Sequence, residues 1–119
     1  MARIVKLKDA EDLGLPGRLS RQIFPANDLD APLTLRYVEI PVQAESETRR
    51  TPHFHRATED CIPVLRGSGE FETDAGVERI GAGDTILVPR GEPHVTHNIG
   101  NETLRLLCYF PTGKLASHG

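Results

Sequence analysis

Two histidines, His53 and His55, stand two residues apart in the stretch PHFHRATED, and two acids, Glu59 and Asp60, close it. Imidazole nitrogen and carboxylate oxygen are donors that divalent transition metals readily accept. On an extended segment residues i and i+2 share a face, so His53 and His55 project side by side while Phe54 faces away. An H-x-H pair alone does not make a metal site, because histidines also serve on surfaces and in hydrogen-bonded cores. A third imidazole stands further along, in PRGEPHVTHN, where the turn around Gly91 delivers His94 at the start of a strand. His97, three positions on, points to the opposite face, and His118 lies in the polar tail KLASHG; neither is a candidate ligand. Three neutral imidazoles and one carboxylate around a divalent cation leave one net positive charge and, in octahedral geometry, two positions open to water or substrate. Fe(II), Mn(II), Ni(II), Co(II) and Zn(II) all suit such a donor set. Imidazole must be neutral to ligate, so metal affinity is expected to fall below about pH 6.5.

The elements that must bring these donors together are short and extended. Eleven glycines and nine prolines in 119 residues leave little room for a helix. Runs rich in strand formers fall at 18–24, 33–42, 61–66, 69–73, 77–80, 84–89, 94–99 and 104–111, with turn residues between them. TDAG is a hairpin connection, and GAGD and PRGEP are reversals that need glycine at positive φ. Many short strands at this spacing make an all-β sandwich or small barrel. AESETRR, residues 44–50, reads as a charged surface loop leading into a histidine strand. The strand CIPVLRG is expected to pair antiparallel with that histidine strand and carry the acid back toward it, with Glu59 and Asp60 competing for the role.

Alternation assigns faces. In LRLLCYF, Leu104, Leu106, Cys108 and Phe110 oppose Arg105, Leu107 and Tyr109, and a solvated Arg105 turns Cys108 and Phe110 inward. In LTLRYVEI only one of Arg36 and Tyr37 can face the interior. An inward Arg36 would anchor a substrate carboxylate, but the simpler expectation is an exposed arginine. Asn98 and Gly91 read as structural, the one tying down loop backbone and the other shaping a turn.

One domain spanning 1–119 is expected at this length. The net charge of −3 gives no basic surface for nucleic acid, and the charged start MARIVKLKDAEDLG is no signal or membrane span, so a cytoplasmic location is expected. Cys61 and Cys108 make no disulfide framework and read as buried thiols.

The residues around His94 resemble the second motif of the cupin superfamily: Gly83, Pro89, Gly91, His94 and Asn98 stand at the family's spacings in GDTILVPRGEPHVTHN. HFHRATEDCIPVLRG resembles the first motif, with His53, His55, an acid and Gly67. The motif's gap before Gly67 lands on Asp60, where most relatives carry glutamate, and register places Ile62 and Val64 on the same inward face; Asp60 is therefore preferred to Glu59. The family's initial glycine is replaced by Glu47. The resemblance covers residues 47 to about 110, preceded by strands within 1–46 and followed by a short polar tail, 111–119. It implies a double-stranded β-helix, or jelly-roll, barrel that holds one transition metal through His53, His55, Asp60 and His94, and a homodimer. The activity it implies is a metal-dependent oxidoreductase of dioxygenase type acting on a small keto acid, hydroxy acid or phenol. The alternatives are a metal-dependent isomerase or lyase and a non-catalytic cupin that binds a small ligand or sugar. No second catalytic group is identifiable.

Overall fold

A computed structural model describes residues 2–43, 52–53 and 58–115. Among the described residues a 3-10 turn at Leu7–Asp9 is followed by nine strands: β1 (Glu11–Asp12), β2 (Leu19–Phe24), β3 (Thr34–Ile40), β4 (Asp60–Arg66), β5 (Ser68–Thr73), β6 (Gly76–Gly81), β7 (Thr85–Val88), β8 (His94–His97) and β9 (Leu104–Phe110). Each of the eight expected strands is present, shifted by no more than a residue or two at its ends, and β1 is an addition. The strands form a six-stranded sheet of order β1-β2-β3-β9-β4-β7 and a three-stranded sheet of order β6-β5-β8. Every pairing is antiparallel. The chain is an all-β jelly-roll barrel.

Glycine and proline explain why the strands stop where they do. Gly83 (φ 93°) and Gly91 (φ 74°) occupy the left-handed region that a side chain resists, and they reverse the chain before β7 and before β8. Asn98 then locks the exit from β8. Its fully buried amide donates to the carbonyls of Ile40 (2.9 Å) and Glu102 (2.8 Å) and accepts from the Gly100 amide (3.0 Å), the structural role expected of it.

The core fills the space between the sheets. Val38, Ile62, Val64, Phe71, Leu104 and Leu106 are among the buried residues of one apolar cluster. Burying a leucine such as Leu104, wholly removed from solvent, contributes about 2 kcal/mol. Cross-strand pairing sorts the six-stranded sheet into two faces. Arg36 pairs with Cys108, Val38 with Leu106 and Asp60 with Val88 on the inside, while Leu35 pairs with Tyr109, and Cys61 with both Tyr109 and Leu87, on the outside. Both cysteines are free and half-buried, one on each face. No helix among the described residues is long and apolar enough to cross a membrane.

Candidate metal centre

One backbone contact does most to assemble the site. His53 and His94 exchange both amide bonds, His53 N–H to the His94 carbonyl at 2.9 Å and His94 N–H to the His53 carbonyl at 2.8 Å. A pair that exchanges both bonds directs its side chains to the same face. The two rings lie with centroids 4.6 Å apart, tilted by 59°. This isolated bridge corrects the expected pairing: among the described residues His53 joins β8, while β4 pairs with β7 and β9. His55, Phe54, Glu47, His118 and the loop 44–50 lie outside the described residues.

His94 is held on three sides. Its Nδ1 lies 2.9 Å from the carbonyl oxygen of Glu92. A carbonyl only accepts, so Nδ1 carries the proton and the lone pair of the neutral ring sits on Nε2. Phe71 stacks on the ring at a centroid distance of 5.7 Å. Nε2 faces the Asp60 carboxylate, with Oδ2 at 3.7 Å, and both side chains are 3% exposed. That separation is too long for a hydrogen bond and near the roughly 3 Å expected between neighbouring donors on one cation.

The two competing acids part company here. Asp60 lines the interior pocket together with Ile62, whereas Glu59 turns out to solvent and accepts from Arg90 Nε at 3.1 Å. A hydrogen bond from its own backbone amide, followed by that arginine, holds the Glu59 carboxyl below its ordinary range. His97, one turn of alternation away from His94, is buried on the far face of β8, with Nε2 2.8 Å from Glu72 Oε1. Cys61 points outward and is half-buried, which corrects the buried thiol expected there. Among the described residues no group of three or more His, Cys, Asp or Glu side chains is arranged to hold a metal ion.

The pocket of about 50 Å³ beside these groups is lined by His53, Asp60 and His94 together with Arg18, Arg36 and Cys108. Val38, Ile40, Ile62, Leu106 and Phe110 make its apolar walls. Arg36 corrects the expectation of an exposed arginine: it is 5% exposed and inward-facing. Its place opposite inward Cys108 on β9 imposes that orientation. Arg18 escaped sequence reasoning altogether. The available signal was the i, i+2 relation of Arg18 to Ser20, which is buried in the same pocket. Burial pushes the Cys108 thiol well above its ordinary range, the Asp60 carboxylate pushes it the same way, and Arg36 and Arg18 pull it back. Cys108 is therefore a neutral thiol at pH 7.

Residues 36–110 match the Cupin domain family, and the chain belongs to it. It is similar to the polyketide cyclase RemF of Streptomyces resistomycificus, 28% identical with a TM-score of 0.74 over 92% of this chain and 79% of that one. Ectoine synthase from P. lautus shares the fold, with a TM-score of 0.78 at 17% identity over 98% of this chain and 82% of that one. An uncharacterized protein of Methanocaldococcus jannaschii is 38% identical over 56 residues, 47% of this chain and 45% of the relative. The chain spans about half the length of the curated relatives it matches.

Proposed function

We propose that the chain is a metal-dependent cupin enzyme in which His53, His55, Asp60 and His94 hold one divalent transition metal, from among iron, manganese, nickel, cobalt and zinc. Its substrate is a small oxygen-bearing organic molecule bound in the adjoining pocket. The observation that carries this reading is the His53–His94 bridge, which sets two imidazoles on one face beside a buried carboxylate. The donor chemistry fits: the Glu92 carbonyl sets the His94 tautomer that leaves Nε2 able to ligate, and Asp60 supplies a buried carboxylate beside it.

When bound, such a cation supplies Lewis-acid polarisation of a substrate oxygen and, if it is iron, access to dioxygen chemistry. The remaining work falls to the chain. Phe71 and the Glu92 carbonyl orient His94, and the apolar walls exclude water and so strengthen every polar contact inside.

Three imidazoles and one carboxylate leave two positions open on an octahedral cation, which supports an oxidoreductase of dioxygenase type as the first reaction class. Likeness to the polyketide cyclase RemF favours a second reading, redox-neutral rearrangement or ring closure at the same centre. Metal per chain, measured after purification without chelator, tests both readings together, and dioxygen uptake with small keto and hydroxy acids separates them. About one metal per chain is expected, lost in His94→Ala. A wild-type chain that cannot be loaded with any of the five metals would remove the enzyme reading and leave a binding barrel.

A homodimer is part of the same proposal. The outward row Leu35, Cys61, Tyr109 and Leu87, the last 68% exposed, supports it with a continuous apolar strip across four strands.

A further inference from the structure

Two cations line the same pocket as the histidines and Asp60. Arg36 is 5% exposed, and Arg18, just ahead of β2, is half-buried. Among the described residues neither makes an ion pair. Arg36 Nε donates to the neutral Gln22 Oε1 at 3.3 Å and its guanidinium lies 5.8 Å from the centroid of the Phe110 ring, while Arg18 donates to the Pro16 carbonyl at 3.2 Å.

Burial disfavours the charged form of each arginine. Arg18 adds like-charge repulsion on Arg36. Asp60, set against His94, also attracts Arg36, so two guanidinium groups share the single carboxylate among the lining residues. Charges withdrawn from water are costly unless something pairs with them. A guanidinium is a planar fork of donors shaped for a carboxylate.

We propose that Arg18 and Arg36 form an anion-binding pair in the pocket, holding the carboxylate of a small substrate whose second oxygen reaches His53, Asp60 and His94. The substrate class is a short carboxylic acid with a neighbouring carbonyl or hydroxyl, in preference to a phenol. A volume of about 50 Å³ admits only a few heavy atoms. The carboxylate half of the proposal stands on the arginines alone, and the second-oxygen half rests on the metal-centre reading above.

The test is calorimetric titration of the protein as purified, with metal per chain measured on the same samples. The probes are pyruvate, lactate and oxalate, the uncharged pyruvamide, and inorganic phosphate. At least one carboxylate is expected to bind, with pyruvamide and phosphate at least tenfold weaker. Arg36→Gln and Arg18→Gln should each weaken that carboxylate at least tenfold while leaving metal per chain unchanged. Arg36→Lys, which keeps the charge and loses the fork, should fall between. Arg18 lies outside the strands, so Arg18→Gln keeps the test decisive if the buried Arg36 variants fail to fold.

Carboxylate affinity unchanged in Arg18→Gln, pyruvamide binding as well as pyruvate, phosphate binding more tightly than every acid, or no acid binding the wild type would each overturn the proposal. Arginine-dependent binding to a chain that takes up no metal would instead refute the metal centre and keep the anion site. A metal-loaded chain indifferent to both arginines would do the reverse.

Discussion

The histidines and the arginines that line the pocket are positioned by different means. For the histidines, backbone fixes side chains: a two-bond bridge joins His53 to His94, and a carbonyl and an aromatic ring hold the imidazole in place. For the arginines, position on a pleated strand turns Arg36 inward opposite Cys108, and it contacts one amide side chain and one ring. The imidazole is anchored by backbone, whereas long arginine side chains can settle around a ligand. The same contrast recurs within β8, where His94 faces the pocket and His97 the opposite side.

Three perturbations separate these regions. The largest effect is expected at the acid: Asp60→Asn should weaken metal binding by at least about tenfold, while Glu59→Gln, on the solvated side, should stay within about twofold, as read by competition with a chelating dye. Equal losses would mean that both acids or neither serve the metal.

Next comes the thiol that lines the pocket with the arginines. The upward shift at Cys108 lowers its thiolate fraction, so at pH 8 iodoacetamide should modify it at least about tenfold more slowly than a cysteine in an unfolded peptide. The sign for stability follows. A thiol that holds its proton more tightly when folded contributes stability that is complete below the unfolded pKa and is lost as pH rises through the folded one. Rapid alkylation of the native protein would place Cys108 elsewhere than the dry pocket wall.

The smallest effect is expected at His97. His97→Ala removes the 2.8 Å contact with Glu72 and should lower stability by about 1–3 kcal/mol in denaturant unfolding, with metal affinity unchanged. A loss of metal in this variant would join the two faces of β8 that the structure holds apart.

What was legible in the sequence tracks these differences. Strand positions were marked by glycine and proline, and the PRGEPH turn announced His94 because positive φ at Gly91 leaves few other residues possible. Asp60 was favoured over Glu59 by alternation with Ile62 and Val64, and the structure places it inside with them. The partner of the histidine segment was misread because a single bridge has too little length to show a pattern; only tertiary proximity to β8 sets it. Arg18 was missed for a related reason. In LSRQIF the apolar Leu19 and Ile23 advertise themselves as the inward face, yet polar Ser20 is the buried one, 1% exposed. A pocket that needs charge inverts the usual hydrophobic code on the strand that lines it.

An anomalous-difference map of crystals grown with iron or manganese tests most directly whether His53, Asp60 and His94 hold an ion. One strong peak is expected within about 2.0–2.3 Å of His94 Nε2, and within similar reach of His53 and an Asp60 oxygen. Crystals that carry no peak there at saturating metal, or whose ion sits away from all three side chains, would contradict the assignment of this pocket to a metal.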